Sequence, residues 1–126
     1  MKIYVLGNPL VKKDTLAFKV SKKLENIDGI EFVEFDPIED IDEERPIFMD
    51  VVENLDKVKI LKIEDLDIEK RVSLHDFGLE HLLNLLKKIG KIEDAKIIGI
   101  PIDYPIDKAV TEVKSILKSI LSSGND

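Results

Sequence analysis

The sequence predicts an α/β fold: a three-layer sandwich with a mostly parallel central sheet of about five strands and helices on both faces. Two observations carry this. Short runs that are almost wholly apolar, such as KIYVL (2–6) and AKIIGIPI (95–102), read as strands buried on both faces. Between them lie segments whose apolar residues recur every three or four positions, the spacing of helices that cover a sheet. A third observation sets the topology. Strands at 30–35, 46–52 and 58–63 follow one another without an intervening helical pattern, so one strand is expected to run antiparallel, at an edge.

Each element follows from local chemistry. KIYVL (2–6) opens the sheet. Residues 7–13 form a loop, and Leu16, Val20, Leu24 and Ile27 then mark a helix over 15–26, stopped by Asp28-Gly29. Asp14, just before it, is of a type that caps orphan helix N–H groups. IEFVEF (30–35) alternates as a strand does. Residues 36–45 are acidic, carry Pro37 and lead to Pro46, and read as a loop. PIFMDVV (46–52) reads as a strand broken by Asp50, and VKILKI (58–63) as another. Residues 64–77 are charged and irregular. Leu79, Leu82, Leu83, Leu86 and Ile89 form the core stripe of a helix from Gly78 to Gly90. After the strand at 95–102, Pro105 suits the first turn of a last helix, where its missing N–H costs nothing, and Val110, Val113, Ile116, Leu117 and Ile120 line that helix.

Length and composition narrow the function. A chain of 126 residues is expected to form one domain, 1–126. With no Cys, disulfides, thiolate nucleophiles and Cys-ligated zinc are excluded. No apolar run is long enough to span a bilayer and no signal-peptide pattern opens the chain, so a soluble cytoplasmic protein with no membrane partner is expected. The net charge of −7 argues against nucleic acid as a partner, because phosphate neutralisation needs clustered Lys and Arg. Charge is uneven: Lys2, Lys12, Lys13, Lys19, Lys22 and Lys23 crowd the start, and residues 34–44 are strongly acidic. Both blocks read as solvated surface.

Three residues stand where an α/β sheet binds ligands, at or beyond the carboxyl ends of strands. Asp14 follows the first strand, Asp50 lies at the end of the third, and His75 precedes the Leu-rich helix. Two carboxylates and an imidazole make an open ligand set for a transition metal, with coordination positions left for substrate. Each also has a structural reading: Asp14 as a helix cap, Asp50 as a hydrogen-bonding side chain, His75 as a loop residue. Asp50 is the hardest to explain away, because a charge in an apolar run must be paired or bonded. Ser73, His75 and Asp76 lie too close together for a catalytic triad, and no phosphate-binding glycine loop is present.

LGNPLVKKDTLAFKV (6–20) resembles the opening of the hydrogenase maturation proteases, endopeptidases that trim the C-terminus of the large subunit of nickel–iron hydrogenases. Gly7, Asn8, Leu10, Asp14 and Val20 match in spacing. IFMDVV resembles the family's second site, with Asp50 matching, and SLHDFGLEHLL its third, with His75 matching. KIIGIPIDYP and AVTEVKSIL resemble its closing strand and helix. The resemblance implies that Asp14, Asp50 and His75 form both the catalytic and the metal-binding set, with nickel supplied by the substrate. It also implies a precursor large subunit as partner to a monomeric hydrolase. Lys13, Thr15, Ala17 and Val51-Val52-Glu53 depart from the family pattern. They favour a second reading, a non-cleaving assembly factor that holds a peptide on the same fold.

Overall fold

A computed structural model describes residues 1–6, 15–35, 41–68 and 79–122. The elements run β1 (Lys2–Val5), α1 (Thr15–Lys23), β2 (Glu31–Glu34), β3 (Ile47–Val52), β4 (Lys59–Lys62), α2 (Ile63–Ile68), α3 (Leu79–Lys88), β5 (Lys96–Pro101) and α4 (Ile106–Ser122). The strands form one five-stranded sheet in the order β2-β1-β3-β5-β4. All neighbours are parallel except β4, which pairs antiparallel with β5 at the edge: one edge strand is antiparallel, as expected, and of the two direct strand connections β2–β3 joins parallel strands.

Alternation along the central strands builds two cores. Ile3, Val5, Met49, Val51, Ile98 and Ile100 pack with Ala17, Val20 and Leu24 of the α1 segment and Ala109, Val113 and Leu117 of α4. The opposite face takes Tyr4, Phe48, Val52, Leu61 and Ile97, with Ile63 of α2 and Leu83 of α3. This is the expected three-layer sandwich. Tyr4, Phe35 and Phe48 meet on the second face with ring centroids 5.2–5.8 Å apart, mostly edge to face.

Several boundaries differ from expectation. α1 ends at Lys23. The chain continues as a looser turn, with the Leu24 N–H shared between the Val20 and Ser21 carbonyls and Ile27 N–H bonded to Leu24, until Gly29 turns it at φ +88°. The irregular reading of 64–77 misses α2 in its first part. There Asp65 Oδ2 accepts the Lys62 N–H at 2.9 Å, and Glu64 and Asp65 complement the helix N-terminus. Ile89 does not join the α3 stripe: it falls one residue beyond the helix, 66% exposed, as Gly90 reverses the chain at φ +81°. The C-terminal helix starts beside Pro105, whose carbonyl accepts the Ala109 N–H.

The acidic block is not wholly a solvated surface. Residues 36–40 lie outside the described residues. Beyond them Ile41 is buried, and Glu43 accepts the Tyr4 hydroxyl at 2.6 Å and lies 3.9 Å from the Lys2 ammonium. The Glu44 carbonyl accepts the Glu93 N–H, and Arg45 pairs with the Glu93 carboxylate. This segment is the crossover from β2 to β3, tied down along its described length.

Candidate active site at the carboxyl edge of the sheet

From β1 the chain leaves through α1 toward β2. From β3 it leaves in the opposite sense, through β4, α2 and α3 toward β5. The adjacent carboxyl ends of β1 and β3 therefore flank a topological switch point, the place where open α/β sheets form their ligand crevice. Leu6 marks the spot: its N–H donates to the Met49 carbonyl at 2.9 Å, and pairing between β1 and β3 goes no further among the described residues.

Asp50 is the next residue of β3. It does not break or end the strand, contrary to expectation: β3 continues to Val52, and Asp50, Val51 and Val52 pair with Gly99, Ile100 and Pro101 of β5. Two β-branched valines, both buried, hold the extended conformation through the aspartate. Asp50 is fully buried, and it is the one charged side chain so buried among the described residues.

The backbone pattern explains how it is tolerated. Met49 turns its carbonyl toward β1, so by the period of two Val51 turns its N–H to that same side. Among the described residues no group of β1 pairs with it there. Asp50 Oδ1 accepts this N–H at 2.8 Å instead. The structural reading of Asp50 is thus correct for one oxygen, and it fixes the direction of the carboxylate.

Gly99 stands opposite Asp50 in the register. A Cβ on Gly99 would come within 2.8 Å of a Leu55 methyl and 3.1 Å of a Leu61 methyl. Leu55 therefore closes over the glycine, on the β5 side of Asp50. Asn54, at φ +63°, turns the chain that brings Leu55 there. Sequence reasoning missed this pair, although a lone glycine inside an apolar strand is a known sign of close approach.

The rim is braced by Glu112 of α4. One of its oxygens accepts both the Val58 N–H at 3.1 Å and the Tyr104 hydroxyl at 2.8 Å, joining the approaches to β4 and α4. Burial first, and the bond to Glu112 second, push the Tyr104 phenol up from its ordinary value. Tyr4, lower on the same face as Asp50, is pushed up to about 12 by burial first and the Glu43 hydrogen bond second.

Of the three expected site residues, the structure places Asp50. Asp14 and His75 lie outside the described residues, as do Gly7, Asn8, Leu10 and Lys13. The described chain brackets them: Leu6 sits beside Met49 before that segment and α1 begins at Thr15 after it, while α3 begins at Leu79 on the face toward which Asp50 points. Among the described residues, no three His, Asp or Glu side chains gather as a metal-binding group. Nor is any described helix long and apolar enough to cross a membrane.

No family model matches the sequence, and no curated protein matches it. Among solved structures, the crystal structure of hydrogenase 2 maturation peptidase from Thaumarchaeota archaeon SCGC_AB-539-E09 superposes with a TM-score of 0.56 and 23% sequence identity. The match covers 96% of this chain and 98% of that one. The two chains share their fold nearly end to end, which is the fold that the sequence resemblance implies.

Proposed function

We propose that this protein is an endopeptidase that removes a C-terminal peptide from the nickel-loaded large subunit of a nickel–iron hydrogenase. The observation that carries the reading is Asp50, a buried carboxylate at the switch point of a fold shared with a hydrogenase 2 maturation peptidase. In this reading Asp50, Asp14 and His75 converge on a nickel ion that arrives in the substrate. A carboxylate aimed by the Val51 N–H is preorganised for such a partner, since its orientation is fixed before binding. Two carboxylates and an imidazole offer hard and borderline donors without the thiolates needed to strip the metal from its own site. The bound ion would supply Lewis acidity at the scissile carbonyl or at a water, and hydrolysis adds that water across the C–N bond. The site is read as cytoplasmic and monomeric, acting on one partner protein.

A second reading, a non-cleaving assembly factor, draws on Val51 and Val52. They stand where the family pattern has small residues, and they extend β3 past Asp50, leaving it no exposure. One experiment separates the two. Nickel-loaded and nickel-free precursor are incubated with the protein, and the C-terminal peptide is sought by mass spectrometry. The peptidase reading expects release from the loaded precursor alone, abolished by Asp50→Ala, Asp14→Ala or His75→Ala. Binding without release supports the assembly factor, and neither binding nor release removes both.

A further inference from the structure

The two edges of the sheet differ. The antiparallel edge, β4, carries Lys59 and Lys62, a common way to protect an edge. The other edge, β2, carries Glu31 and Glu34. On β2 the ladder to β1 uses the Glu31 N–H, bonded to the Met1 carbonyl at 2.8 Å, and it extends through the Phe35 N–H, bonded to the Val5 carbonyl at 2.9 Å. Strand alternation then turns the N–H and C=O groups of Phe32 and Glu34 outward, and no described strand pairs with them.

Beside these groups runs a groove of about 550 Å³ between β2 and α1. Phe18, Ile30 and Phe32 give it an apolar lining. Glu25, Glu31 and Glu34 outnumber the one base of the lining, Lys22. Outward backbone groups call for an extended strand, the apolar lining for alternate apolar side chains, and the acidic surround for cationic ones.

From this juxtaposition we infer that β2 is a docking edge, which accepts an extended segment of a partner protein as a sixth strand. That segment alternates Lys or Arg with apolar residues. A second copy of this chain does not fit: two β2 edges would bring glutamates together, and copies carrying a net charge of −7 repel. The inference is independent of peptidase activity, because the groove lies on the α1 face at the sheet's flank, whereas Asp50 points to the α3 face.

The test uses the full chain and a fluorescein-labelled peptide of alternating lysine and valine, with a glutamate–valine peptide as control. Saturable binding of the lysine peptide alone is expected, with hydrogen exchange slowed at the Phe32 and Glu34 amides. Glu34→Pro removes one outward N–H without touching the β1 ladder and is expected to weaken binding about tenfold. Glu25→Lys, off the strand, should weaken it several-fold and check that a refolding defect is not the cause. The inference is overturned by equal binding of both peptides, by no binding, or by affinity indifferent to both variants. Self-association that protects the same amides without peptide would overturn it too.

Discussion

The same three central strands supply both faces of the sheet, and one step of register separates very different surfaces. Toward α1 and α4 they present Ile3, Val5, Met49, Val51, Ile98 and Ile100, an aliphatic layer with no buried charge. Toward α2 and α3 they present Tyr4, Phe48, Asp50, Val52, Ile97 and Gly99, which combine aromatic rings, a carboxylate and a bare backbone. The first face binds the layers together. The second does so through the aromatic trio, and it also holds a fixed, buried carboxylate two residues beyond Phe48. The lesson is that strand alternation lets a stable core and a polar site share one strand, provided the buried carboxylate has a hydrogen-bond partner.

The largest effects should fall on packing, and equally on both faces. Phe48→Ala is expected to lower stability by about 3–5 kcal/mol, and Leu117→Ala on the other face by about 2–5 kcal/mol, read from urea unfolding midpoints. A loss far smaller on one face would break the picture of two full cores. Next in size is Gly99→Ala, expected to cost about 1–3 kcal/mol because its methyl meets Leu55; adding Leu55→Ala should recover part of that cost. Asp50→Asn keeps the size and an acceptor for the Val51 N–H. It should cost about 1–2 kcal/mol in the same assay, yet abolish peptide release from the loaded precursor.

A smaller effect sharpens the comparison at the amino end of the α3 face. The Tyr4 phenol is raised from 10.0 to about 12, so the folded state holds its proton more tightly than the unfolded state. Its contribution is complete below pH 10 and is lost as pH rises toward 12. Tyr4→Phe should therefore lower neutral-pH stability by about 1 kcal/mol and flatten the alkaline decline between those values. Ultraviolet titration of the phenols checks the assignment, with Tyr104 alone left to ionise in the variant.

Much of this architecture was legible in the sequence, for physical reasons. Continuous apolar runs announce strands covered on both sides, and the stripe through Val113 and Leu117 announces a helix packed on them. α2 was hidden because six charged or apolar residues show too little periodicity, and its start depends on the Asp65 carboxylate reaching back to Lys62. At the site, Asp50 stood out because a charge in an apolar strand demands a partner. The partner that the structure shows was not legible: it is the next residue's own N–H, which meets no described group of β1 at that level, a fact of pairing rather than of pattern. Leu55 over Gly99 was hidden in the same way, since the two meet across 44 residues of chain.

Asp50 is proposed to meet a nickel ion together with Asp14 and His75, and nickel-edge X-ray absorption of loaded precursor mixed with the protein reports on that meeting. Added protein should bring nitrogen or oxygen donors at roughly 2.0–2.2 Å, with outer-shell scattering from an imidazole. The imidazole signal should vanish with His75→Ala, and the first shell should weaken with Asp50→Asn. A spectrum unchanged by saturating protein, or changed equally by these variants, would contradict it.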